Sequence, residues 1–305
     1  MNILLLNTLL LSCALNCNRP ELPDRYTVHF EEGTKRVGIS AEITLEDSLL
    51  YMSPYGPMPD RWDDYIRNIR LVSESGKPIS VHRTADSTWV INGMTTGERV
   101  KLQYDIALDH EAVEWPGGID GVAYVREWGI MASGRSLFLM NGHSKEDITL
   151  SFRHPGDWEV SAPWKLSDAS AETYRVPNLT SLQESFIFAG THQEMRVERK
   201  GFVLKFILGG PGIQSQQETY KGVALGVLDY YIRQMGGIPK PPPGQEFDQS
   251  MVIISASGQL DGEVIGNHLS MFMNPQGEPM EQLVGWFMFA HEFFHLWNGK
   301  TLRFS

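Results

Sequence analysis

From Tyr26 to about Pro163, apolar residues recur at every second position, and that period confines the first half of the chain to extended strands. Val37, Ile39, Ala41, Ile43 and Leu45 alternate with polar or small neighbours, and so do Val100, Leu102, Tyr104, Ile106 and Leu108. Successive side chains of a strand point to opposite faces, so this spacing leaves each strand one buried face and one wet face. Turn-forming clusters at Glu32-Gly33, Ser75-Gly76-Lys77-Pro78, Asn92-Gly93, Pro116-Gly117-Gly118 and Pro155-Gly156 separate the runs. Short strands punctuated in this way are expected to form an antiparallel β-sandwich over residues 24–173. The aromatic stretch holding Trp115, Tyr124, Trp128 and Phe138 is less regular. It reads as core or sandwich edge, with the wall of a ligand groove as the alternative.

After Tyr174 the period changes. Phe186-Ile187-Phe188, Val203 to Leu208, Met251 to Ser255 and Leu269 to Met273 read as strands. Tyr220 to Met235 carries apolar residues at helical spacing and is followed by Gly236-Gly237, the expected helix stop. Pro239 and Pro241-Pro242-Pro243-Gly244 make a stiff connector. The spacing predicts a second, strongly apolar helix over Glu281 to Trp297, with Leu283 to Ala290 burying it. Strands followed by mixed strands and helices make an α+β chain, with residues 174–305 as its second domain. At 305 residues, 42% of them hydrophobic, the chain can bury a full core.

The second helix contains His291-Glu292-Phe293-Phe294-His295. Residues four apart on a helix share a face, so the two imidazoles project together and can hold one ion. Zinc suits imidazole and keeps a position open for water. Glu292, one residue on, is placed beside such an ion as a general base. Neutral imidazole is needed to bind, and a carboxylate is needed to take a proton. The bland alternative is a pair of core histidines with local hydrogen bonds. A catalytic zinc site needs three protein ligands. One large class supplies a third His six residues after the second, with a Gly between; here those positions are Thr301 and Asn298, which excludes it. The other common plan uses a Glu on a later helix. The ten residues after His295 contain no Asp, Glu or His, so these 305 residues alone are expected to bind zinc weakly and to hydrolyse little.

The residues around the motif carry a closer likeness. Ala290-His291-Glu292-Phe293-Phe294-His295-Leu296-Trp297-Asn298, with Lys300 and Arg303, resembles the zinc helix of peptidase family M61, the glycyl aminopeptidase family. Leu228-Asp229-Tyr230-Tyr231 through Gly236-Gly237-Ile238-Pro239 is similar to that family's preceding helix and Gly-x-x-Pro stretch. The resemblance implies a thermolysin-like (gluzincin) catalytic domain behind a β-sandwich. It also implies zinc as cofactor and aminopeptidase action on peptides with a small first residue such as Gly or Ala. By match, His291 and His295 would be zinc ligands and Glu292 the general base. Where the family carries Val, Arg and Pro, this chain has Gly299, Thr301 and Ser305. The family's substrate strand, Gly-Gly-x-Glu-His, corresponds to Asp261 to His268; Glu263 is the candidate to hold a peptide amino group there, and His268 reads as a strand or loop residue. Another zinc peptidase with a later Glu ligand, such as the M1 aminopeptidases, is the neighbouring reading, against which Trp297-Asn298 argues.

Ile3 to Leu15 is almost wholly apolar but short of the roughly 20 residues a membrane helix needs. Residues 1–17 are therefore expected to be an export signal, with a buried helix or strand as the alternative. Both cysteines, Cys13 and Cys17, fall here, so no disulfide framework is available to the rest of the chain. Leu10-Leu11-Ser12-Cys13 resembles a lipoprotein box. Lipidation of Cys13 or Cys17, tethering a periplasmic or surface protein to a membrane, and plain secretion are both open. With 26 Lys and Arg against 37 Asp and Glu, the net charge of −11 argues against nucleic acid as a partner. The competing functional reading is a catalytically degenerate exported protein that binds through its β-domain.

Overall fold

The structure is a computed structural model that describes residues 22–54, 59–84, 88–108, 123–169, 172–258 and 260–298. The alternating segments do form strands. In Arg36–Thr44 every second residue is buried, and the strand lies antiparallel to Arg99–Ala107 with Ile39 opposite Tyr104 and Val37 opposite Ile106. They sit in an eight-stranded sheet ordered Leu166–Asp168, Thr173–Asn178, Glu146–Arg153, Arg25–Phe30, Arg36–Thr44, Arg99–Ala107, Ile66–Ser73, Pro78–Ile79. Its neighbours are antiparallel except Arg25–Phe30 and Glu146–Arg153, which run parallel with Tyr26 beside Leu150. A three-stranded sheet (Leu49–Tyr51, Thr88–Ile91, Val81–Arg83) and a four-stranded sheet (Glu159–Ser161, Phe186–Gly190, Gly129–Ser133, Tyr124–Arg126) share its apolar core.

The expected boundary after residue 173 cuts through this first unit. Thr173–Asn178 pairs with Glu146–Arg153, and Phe186–Gly190 is central in the four-stranded sheet. The sheets change hands only between Gly190 and Gln193. The sequence change near Tyr174 reflects a strand buried on both faces, since all five residues of Phe186–Gly190 are buried. Such a strand loses the period-two signal without leaving its sheet.

The second unit is a mixed five-stranded sheet ordered Gln193–Arg199, Phe202–Gly209, Ser250–Ala256, His268–Met273, Asp261–Ile265. The three inner strands are parallel and the two outer ones antiparallel to their neighbours. There are four α-helices among the described residues: α1 (Gly134–Leu137), α2 (Leu179–Gln183), α3 (Gln217–Gln234) and α4 (Pro279–His295). Helices α3 and α4 cover one face of the second sheet through Leu204, Phe206, Val252, Leu269, Phe289 and Phe293. The other face meets the first unit. There Ile207, Met251, Ile253 and Phe272 pack with Met131, Phe186 and Phe188. Tyr124 and Trp128 of the aromatic stretch join this seam, the Tyr124 ring lying edge-on to Phe272 at 5.2 Å, and Phe138 is core. Trp115 and the N-terminal segment with Cys13 and Cys17 lie outside the described residues.

Candidate metal centre

Helix α4 opens on Pro279, whose fixed φ and missing N–H suit a first helical turn, with Glu281 beside it near the positive end of the helix dipole. Phe289 and Phe293, one turn apart, are fully buried against the sheet. At its far end the chain is pinned twice: the Trp297 indole N–H donates to the Gly237 carbonyl at 2.9 Å, and the Tyr231 hydroxyl donates to the Ala290 carbonyl at 3.2 Å. Tyr231, Gly237 and Trp297 all belong to the stretches that carry the family likeness. Their role here is to fix the axial position of the motif. The expectation that Leu283 to Ala290 buries the helix is corrected in part. Met280, Leu283, Val284 and Phe287 are exposed, Phe287 by 76%. Only the face bearing Gly285, Phe289, Glu292 and Phe293 meets the sheet. An all-round apolar helix gives no sequence signal for which side is covered.

The His291 and His295 rings stand 4.8 Å apart, with their Nε2 atoms 3.1 Å from each other. The His291 side chain is 55% exposed, so it is not a core histidine. Two nitrogens that far apart can each lie 2.0–2.1 Å from a common point while subtending roughly 100°, close to tetrahedral. By that spacing the pair fits zinc. Glu292 points under them, with its Oε1 4.0 Å from His291 Nε2 and its residue only 7% exposed. Burial raises its carboxyl above the ordinary value; the His291 ring pulls it down and the Asp261 charge adds to the rise. Among the described residues the cluster of possible ligands is His291, Glu292 and His295, with ligand atoms within 4.8 Å of one another.

The wall facing Glu292 is the edge strand Asp261–Ile265. Gly262 makes that approach possible, because a Cβ there would stand 3.1 Å from Glu292 Cγ and 2.6 Å from Met271 Sδ. Glu263 is on the opposite face of this strand, towards the first unit, where its Oε1 lies 3.6 Å from Arg135 Nη1. Burial raises the Glu263 carboxyl; Arg135 lowers it, and Glu184, Asp261 and Glu292 push it up further. The Asp261 charge thus bears on both Glu263 and Glu292, across the edge strand that separates them. His268 is fully buried at the start of its strand and its Nδ1 accepts the Met251 N–H at 3.0 Å, well suited to the strand role expected of it. Arg135, Glu184 and Asp261 were not found by sequence reasoning. Arg135 belongs to α1 and Glu184 caps the end of α2, both in the other unit, and no local motif marks them.

A β-sandwich joined to a mixed sheet whose edge strand flanks a two-histidine helix defines an aminopeptidase-like fold. The crystal structure of an aminopeptidase N family protein from Idiomarina loihiensis has that fold, with a TM-score of 0.72 at 16% sequence identity. The match covers 92% of this chain and 48% of that one, so the chain spans about half the length of that protein. Residues 58–191 match the family model described as the peptidase M61 N-terminal domain. No curated protein matches the chain. The chain thus resembles members of peptidase family M61 over the greater part of its first unit. The matched domain lies apart from the zinc-type helix, so two separate stretches of sequence lead to the same family.

Proposed function

We propose that this protein is the metal-binding part of a zinc-dependent aminopeptidase acting on peptides with a small N-terminal residue. The observation that carries the reading is the convergence of His291 and His295 Nε2 atoms at 3.1 Å above the carboxylate of Glu292. His291 and His295 would hold the ion. Zinc bound there supplies a Lewis acid that polarises the scissile carbonyl and makes water nucleophilic near neutral pH. Glu292 takes the proton of the attacking water on a carboxylate oxygen and passes it to the leaving amine. Its buried setting makes it a stronger base than a solvated carboxylate, which suits proton transfer near neutrality. Glu263, on the flanking edge strand, faces the positively charged amino group of the peptide. Small-residue specificity rests on the family likeness. Export through residues 1–17, with a lipid on Cys13 or Cys17 as one form of it, is part of the same proposal. No helix among the described residues is long and apolar enough to cross a membrane.

The test is a zinc titration of the 305-residue chain by calorimetry. One ion per chain is expected, with the site lost in both H291A and H295A. Retention of stoichiometric zinc by the H291A/H295A double variant would overturn the assignment. Gly- and Ala-anilide hydrolysis by these residues alone is expected to be slight, because the described residues offer only two imidazole ligands. Robust turnover would show that a third ligand is already in reach.

A further inference from the structure

Arg135 is 9% exposed and makes a two-pronged pair with Glu184: Nε donates to Oε1 at 2.7 Å and Nη2 donates to Oε2 at 2.6 Å. Its remaining nitrogen, Nη1, faces Glu263 Oε1 at 3.6 Å, inside ion-pair range and outside hydrogen-bonding range. The guanidinium is therefore committed to Glu184 and touches Glu263 only through its field. A carboxylate held by a full fork would have its acceptor positions occupied; one held at 3.6 Å keeps them for a second cation. One guanidinium between two carboxylates leaves the trio with a net charge of −1, which favours a cationic group at Glu263.

The same place is fixed through the backbone. Gly266, in the turn after the edge strand, has φ +57 and no room for a side chain, because a Cβ would sit 2.3 Å from the Glu184 carbonyl oxygen. Glu184 thus touches the edge-strand hairpin through its main chain and holds Arg135 through its side chain. On its other face the edge strand meets Glu292 at Gly262. The first unit sets both the position of the strand and the electrostatic setting of Glu263.

We propose that Arg135, carried by the β-rich first unit, is a positioning residue that holds Glu263 in place to receive the amino group of a peptide. The inference rests on the amine-anchor role given to Glu263 above. The β-domain is then a working part of the substrate site.

The experiment compares binding of triglycine and N-acetyl-triglycine to the zinc-supplemented 305-residue chain by calorimetry. The ratio of the two affinities is its own control, since a general loss of structure weakens both. The wild-type chain is expected to favour the free amine by about tenfold, the scale of one charge pair in a half-buried site. E263Q should abolish the preference. R135M alone strands two buried carboxylates and is prone to misfold, so the R135M/E184Q double variant, which keeps the local charge at −1, is the informative one. It should fold, shown by an unchanged near-ultraviolet circular dichroism spectrum, and lose most of the preference. R135K should keep part of it, because a lysine supplies the charge without the fork. If the double variant keeps the tenfold preference while E263Q loses it, Arg135 has no positioning role and the anchor stands. If the wild type shows no preference, or E263Q retains it, the anchor fails and this inference with it.

Discussion

Glu194 is the meeting point of three other side chains. Ser161 and Lys205 both donate to its Oε1, and His192 lies 4.0 Å away with its Nε2 2.7 Å from the Ser161 hydroxyl. Burial pushes this carboxyl up, but the nearby His192 ring and the Lys205 and Ser161 groups that donate to it outweigh burial and hold the group at about 2. The folded-state value lies below the unfolded one, so the stabilisation is present above the ordinary carboxylate range and is lost as pH falls through about 2. With 38% of the side chain exposed, solvent screening limits the effect. E194Q should cost no more than about 1 kcal/mol at pH 7 in urea unfolding. The gap between wild type and variant should close as pH falls from about 4.5 to about 2. A gap that widens with acid would refute the assignment. At the candidate metal centre, E292Q should leave zinc affinity unchanged if the proposed role of the carboxylate, base and not ligand, holds. Wherever the protein turns over, the same change should slow hydrolysis by about 10²–10⁴-fold, the usual reach of general-base catalysis. The two histidines were legible in the sequence because a four-residue spacing puts them on one helix face, and Glu292 because it directly follows the first of them in a zinc-type motif. Arg135 was not, since a pair made across a domain seam leaves no spacing to read.

At the scale of elements, α4 has two unlike sides. Phe293 is fully buried and packs on Phe289 with ring centroids 4.7 Å apart. F293A should therefore cost about 3–5 kcal/mol and weaken zinc binding with it, since the helix that presents both histidines loses its seat. Phe287, six residues earlier and 76% exposed, should tolerate alanine within about 0.5 kcal/mol and leave zinc binding intact. Chemical unfolding and metal titration on the two variants check this; equal costs would mean the covered face has been misassigned. The helices themselves were well placed by sequence: α3 and α4 begin and end within a few residues of expectation. The strands of the first unit were legible by their alternation. The unit's end was not, because Phe186–Gly190 is buried on both faces and so resembles the inner strands of the next sheet.

At the scale of the molecule, the second sheet is covered on one face by its own helices and on the other by the first unit. Ile207, Met251, Ile253 and Phe272 are completely buried in that seam. A fragment starting near residue 191 would expose all four side chains, an apolar patch of the kind that folded monomers rarely carry. Such a fragment should bind the dye ANS, lack a near-ultraviolet circular dichroism signal and aggregate, while residues 1–305 unfold in one transition. A soluble fragment with a sharp thermal transition would show the units to be independent. The first unit, which holds most of the matched residues 58–191, thus backs the sheet on which helix α4 rests.

The half-open imidazole pair has a practical consequence at the bench. Two histidines one helical turn apart, with Nε2 atoms 3.1 Å from each other and one ring largely in solvent, form a ready chelate for any borderline metal presented on a surface. Affinity for such nitrogen donors rises from nickel to copper. An untagged preparation should therefore adhere to copper-charged chromatography resin, and less firmly to nickel, and come off with imidazole. The H291A protein should elute markedly earlier, so the column that purifies the protein also reports whether its two histidines converge.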